Sequence, residues 1–123
     1  MKPIMIAFFL AMLCASVPAQ SSKVQIHERE TDDHYTFYLR DNDLDRYLLV
    51  TTFAEVTETN VNRKFQGDWT RILDGGIEVS MDTREHYVAV EYRGSDPDEV
   101  ARAKVIAATI RKRLGIPAPP KTI

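Results

Sequence analysis

This 123-residue chain holds one cysteine, Cys14, along with five glycines and three histidines. Only one long uncharged apolar run occurs, Ile4 to Leu13. A single cysteine excludes an intramolecular disulfide, so the fold rests on its core. The glycines form neither a P-loop nor a dinucleotide-binding fingerprint, and no Gly-x-Ser-x-Gly nucleophile elbow is present. The common nucleotide-binding and serine-hydrolase motifs therefore have no support. An excess of one charge is missing too: 16 Lys and Arg stand against 18 Asp and Glu, a net charge of −2. A general nucleic-acid or anionic-membrane binder carries a basic surplus, which this chain does not have.

The apolar run sits at the N-terminus and has the pattern of an export signal. Lys2 supplies a basic start, Ile4 to Leu13 an apolar centre, and Val17-Pro18-Ala19 a cleavage site before Gln20. Ten apolar residues are too few to span a bilayer, which takes about 20. Residues 1–19 are thus expected to be a signal peptide, placing the mature chain in a periplasm or outside the cell. Leu13, where lipoprotein processing favours a small residue, argues against a lipid anchor on Cys14. Removing the leader takes away Lys2 and Cys14, leaving 15 basic and 18 acidic side chains and no cysteine. Residues 20–116 are expected to form one α+β domain, and the Pro117-Ala118-Pro119-Pro120 stretch opens a proline-rich tail over 117–123.

The strongest periodic signal predicts a helix over 97–114. Asp96 suits its N-cap, Pro97 its first turn, and Glu99 the third position of a capping box. Val100, Ala103, Ala107, Ile110 and Leu114 then form one apolar stripe, widened by Ile106. Arg111-Lys112-Arg113 in the last turn complement the helix dipole.

Upstream, Ile77 to Asp82 and Tyr87 to Tyr92 alternate as strands. A four-residue loop, Thr83 to His86, sets Ile77, Val79 and Met81 opposite Tyr92, Val90 and Val88 on one buried face. Gly75-Gly76 reads as a two-residue turn, pairing Ile72 with Val79 and sending Trp69, Arg71 and Leu73 to the opposite face. Val24 to Glu30 and Tyr35 to Arg40 form a further hairpin. The β-branched residues of Leu48 to Thr57 favour a strand there, although Asp43 and the following Leu44 could open a helix. The expected architecture is an antiparallel sheet of five or six strands with the C-terminal helix packed on one face.

That register gathers Trp69, Arg71, Leu73, Glu78, Asp82, Tyr87 and Glu91 on the outer face, a mixture of aromatic and charged side chains suited to recognition. Glu78 and Glu91 face each other directly, which is unfavourable unless a cation such as Arg71 intervenes. Asp41, Asp43 and Asp45 alternate like calcium ligands. However, Arg46 and Thr52 occupy the positions where such a loop needs glycine and a bidentate glutamate. His27 and His34 lie in a stretch rich in ligand types, but the hairpin does not bring them together, so no metal or other cofactor is expected. The functional expectation is an exported, non-enzymatic module with a protein partner, such as an envelope component or an enzyme to be inhibited. Two alternatives stand beside it: a hydrolase gathering Glu78, Asp82, Glu91 or His86 in a pocket, and a small-ligand carrier with a cavity between helix and sheet.

Overall fold

Residues 24–116 are described by a computed structural model. The leader and cleavage site over 1–19 and the proline tail over 117–123 lie outside the described residues. Five strands and two helices follow in the order β1 (Val24–Thr31), β2 (His34–Asp41), α1 (Arg46–Thr57), β3 (Asp68–Ile72), β4 (Glu78–Asp82), β5 (Tyr87–Arg93) and α2 (Pro97–Arg113). The strands make one antiparallel sheet in the spatial order β1-β2-β5-β4-β3. This is the α+β architecture expected from the sequence, with a second helix added.

Each hairpin is held by its loop chemistry. Between β1 and β2, the Thr31 hydroxyl reaches Asp33 Oδ1 (3.2 Å) and the His34 carbonyl (3.3 Å). Between β4 and β5, Asp82 Oδ1 accepts the backbone N–H groups of Arg84 (2.8 Å) and Glu85 (3.1 Å). Val79 stands opposite Val90 and Met81 opposite Val88, as the alternation requires.

The β3–β4 connection corrects the two-residue turn. Leu73 N–H donates to the Ile77 carbonyl (2.7 Å), so three residues, Asp74, Gly75 and Gly76, make the loop. Both glycines have positive φ, 92° and 93°. The register moves by one residue: Trp69 opposes Met81, Arg71 opposes Val79 and Ile72 opposes Glu78. Because side chains alternate, the shift reverses both faces of β3. The indole and Leu73 turn toward the core, while Ile72 is left 69% exposed. Burying the large ring outweighs burying one isoleucine.

The strand expected over Leu48–Thr57 is instead helix α1. Asp45 caps it by accepting the Tyr47 N–H (3.1 Å). Two threonines that disfavour helix satisfy their hydroxyls on backbone carbonyls one turn back, Thr51 on Tyr47 (2.9 Å) and Thr57 on Phe53 (2.7 Å). Leu49, Val50, Thr52, Phe53 and Thr57 form its buried face. β2 already has partners on both edges, so the apolar stripe of this segment covers the sheet rather than extending it.

Helix α2 matches its expected span. Asp96 accepts the Asp98 N–H (2.9 Å), and Ala103, Ala107, Ile110 and Leu114 are buried. The capping box is not completed: Asp96 N–H donates to Tyr92 Oη (3.3 Å), and Glu99 pairs with Arg102 (2.8 Å). Arg111 does more than complement the dipole. It is 8% exposed, stacks over Phe37 (5.4 Å) and faces Glu28 of β1 (3.6 Å). Both helices cover the same face, over Phe37, Leu39, Val79, Met81, Val88 and Val90. Among the described residues, no helix is long and apolar enough to cross a membrane.

Candidate functional site

Among the described residues, the opposite face of the sheet carries no helix, and its pairing arranges the side chains in rows across the strands. One row reads Gln25, Arg40, Tyr87, Asp82, Asp68; the next His27, Tyr38, Ala89, Ser80, Thr70; the third Arg29, Thr36, Glu91, Glu78, Ile72. Ala89, Ser80 and Thr70 are short. They form the floor of a trough whose walls are Tyr87, Asp82 and Asp68 on one side and Glu91, Glu78 and Ile72 on the other. Tyr38 closes one end. Its ring lies 5.4 Å from Tyr87 and 6.1 Å from His27, an aromatic seam crossing β1, β2 and β5. Partial burial, followed by the Asp82 charge, pushes the Tyr87 phenol above its ordinary value.

Charge is divided along this face. Arg29 and Arg40 stand on β1 and β2, whereas Asp68, Asp82, Glu78 and Glu91 stand on β3, β4 and β5, with Arg93 the cation at the end of β5. The facing glutamates avoid mutual repulsion differently from expectation, because Arg71 lies on the other face of the sheet. His34 Nε2 meets Glu91 Oε2 at 2.8 Å, and Arg93 Nε reaches the same oxygen at 3.2 Å. The His34 hydrogen bond, aided by Arg93, holds the Glu91 carboxyl below its usual range despite some burial. Glu78 makes no ion pair among the described residues. Arg84 lies between Asp68 (3.6 Å) and Asp82 (3.7 Å), both wall residues.

Of the residues expected to form the site, Glu78, Asp82, Tyr87 and Glu91 share this face. Trp69, Arg71 and Leu73 do not. Trp69 packs on the helical side, its ring centroid 6.4 Å from Phe53 and 5.3 Å from Phe65. Tyr38, His27 and His34 belong to the site and were not expected there. Alternation with Tyr35, Phe37 and Leu39 puts His34 and Tyr38 on the outer side of β2, and alternation with Ile26 puts His27 on the outer side of β1. What the sequence did not show is that β2 lies beside β5, which sets Tyr38 against Tyr87 and His34 against Glu91.

The hydrolase constellation is not assembled. Glu78 and Glu91 sit at one end of their strands, and Asp82 and His86 at the other, about 13 Å away at the rise of a strand. Asp82 Oδ1 is engaged by its own loop. Among the described residues, no group of three or more His, Cys, Asp and Glu is placed to hold a metal ion. Asp41 Oδ1 accepts the Asp43 N–H (3.0 Å), and Asp45 caps α1. For the carrier reading, Ala103 and Ala107 pack closely over the sheet. A hollow of about 380 Å³ does exist, but it opens at the margin, among Val56, Glu58, Arg71, Leu73, Arg102 and Ile106.

No family profile, no curated protein and no solved structure matches this chain.

Proposed function

We propose that this chain is a small exported protein-binding module whose uncovered sheet face receives a partner presenting a basic segment. The observation that carries this reading is the trough between Tyr87–Asp82–Asp68 and Glu91–Glu78–Ile72, with Tyr38 at its head and Glu78 uncompensated. A lysine or arginine lying along Ala89, Ser80 and Thr70 meets carboxylates on both sides. Tyr38 and Tyr87 offer it aromatic faces, a contact of about 0.5–2 kcal/mol depending on desolvation. Tyrosine is a favoured interface anchor because it supplies contact area with few rotatable bonds. The opposite charge of β1 and β2 would orient the partner, since like charges brought together disfavour the wrong docking. Export to the periplasm or beyond belongs to the same proposal and rests on the N-terminal pattern.

A photoreactive residue at Tyr38, expressed in the exporting host, tests the reading, with Val105 on the helical side as the control position. A discrete adduct at Tyr38, absent at Val105 and lost in Glu78→Lys, is expected. Identical adduct patterns at both positions would show that this face is not the binding surface. Fractionation of the same cells tests export: full-length chain confined to the cytoplasm would remove that part.

A further inference from the structure

The two edges of the sheet differ. At β1, Glu28 and Glu30 point toward the helical side and are engaged by Arg111 and Lys104 of α2. Inward-pointing charges of this kind blunt an edge against strand addition. At β3 the one charge on the helical side, Arg71, is engaged by no carboxylate among the described residues, and Asp68, Thr70, Arg71 and Ile72 are all exposed. The bonds Leu73 N–H to Ile77 O (2.7 Å) and Thr83 N–H to Gly67 O (2.9 Å) set the alternation of the ladder. Trp69 and Arg71 therefore direct their backbone groups to β4, and Asp68, Thr70 and Ile72 direct theirs outward.

We propose that this edge pairs with the same edge of a second copy, antiparallel about a two-fold axis at Thr70, to give a continuous ten-stranded sheet. The proposal goes beyond the partner-binding reading and does not depend on it. In that register Thr70 opposes its twin, Asp68 opposes Ile72, and Trp69 opposes Arg71. All five strand residues are paired and no like charges meet. Sliding one strand by two residues in one direction brings Arg71 against its own copy. A slide in the other direction leaves only three residues of β3 paired, as does the first.

The side chains complement one another across the axis. Arg71 makes no ion pair or hydrogen bond among the described residues, and in the dimer its guanidinium lies beside the indole of the other copy, a cation–π arrangement formed twice. A foreign extended peptide would satisfy the outward backbone groups equally well, but nothing at the edge selects its side chains, while this chain matches itself.

The test is sedimentation across the micromolar to millimolar range, joined to oxidative cross-linking of Thr70→Cys and Ile72→Cys, each in a chain carrying Cys14→Ser. Opposed Thr70 Cα atoms would lie about 5.5 Å apart, within disulfide reach, and the two Ile72 positions roughly 14 Å apart. The expected result is a concentration-dependent doubling of mass, with Thr70→Cys captured mostly as dimer and Ile72→Cys mostly as monomer. A wild-type chain that stays monomeric throughout overturns the proposal, and this is also the outcome if the edge serves a peptide of another protein. Equal cross-linking of the two variants overturns it as well.

Discussion

Phe53 of α1 and Trp69 of β3 meet with ring centroids 6.4 Å apart, and this contact decides which face of the sheet is inside. It fixes the register of β3, draws the indole away from the outer surface and leaves that surface to Tyr38 and Tyr87.

Removing the indole should therefore act on stability. Trp69→Ala is expected to cost about 2–4 kcal/mol, toward the low end for aromatic truncation because the ring is only half-buried. Urea unfolding followed by circular dichroism measures this loss. Tyr38→Ala, on the open face, should cost clearly less; an equal loss would mean the two faces are assigned wrongly.

Glu91 should show its environment in acid. Its folded carboxyl titrates below the unfolded one because the His34 hydrogen bond, then Arg93, favour the charged form more than partial burial disfavours it. The resulting stabilisation is complete above the ordinary carboxylate range and disappears as pH falls through the folded-state value. Glu91→Gln should be less stable than the wild-type chain by about 1 kcal/mol at neutral pH. In denaturant titrations that gap should close in acid. A gap that persists there would count against the pairing with His34.

Tyr35 predicts the opposite limb. Burial, reinforced by its 2.5 Å hydrogen bond to Glu28, pushes the phenol far above its usual value. The folded state then favours the neutral ring. This contribution is intact below the unfolded phenol range, near 10, and is lost as pH rises beyond it. Tyr35→Phe should flatten the alkaline decline in stability, at a cost of about 1 kcal/mol at neutral pH from the lost hydrogen bond. An unchanged alkaline slope would exclude Tyr35 as its source.

Gly75 couples the β3–β4 turn to α2. A Cβ there would lie 2.5 Å from the Glu99 carboxyl group, at a φ of 92°. The side chain can swing aside, so backbone strain dominates, and Gly75→Ala should lose upwards of about 1 kcal/mol. Thermal unfolding measures it. A neutral outcome would show that the turn relaxes to another geometry.

The open face was legible in part. Glu78, Asp82, Tyr87 and Glu91 followed from one four-residue loop and strict alternation, both local properties. Tyr38 and His34 were missed because their neighbours Tyr87 and Glu91 come from a strand some 50 residues away, and His27 joins the site only through Tyr38. Trp69 was misplaced by one residue of loop length, since Asp74-Gly75-Gly76 and Gly75-Gly76 are both acceptable turns.

Local chemistry alone suffices for the capped, amphipathic α2, the β4–β5 register, the β1–β2 hairpin and the α+β class, all of which can be read from the residues in order. Packing between distant segments makes the threonine-rich segment 46–57 a helix, turns Trp69 inward and joins Tyr38 to Tyr87. Local preferences there are nearly balanced, so the balance falls to the arrangement that buries the large rings and leaves no interior strand edge unpaired.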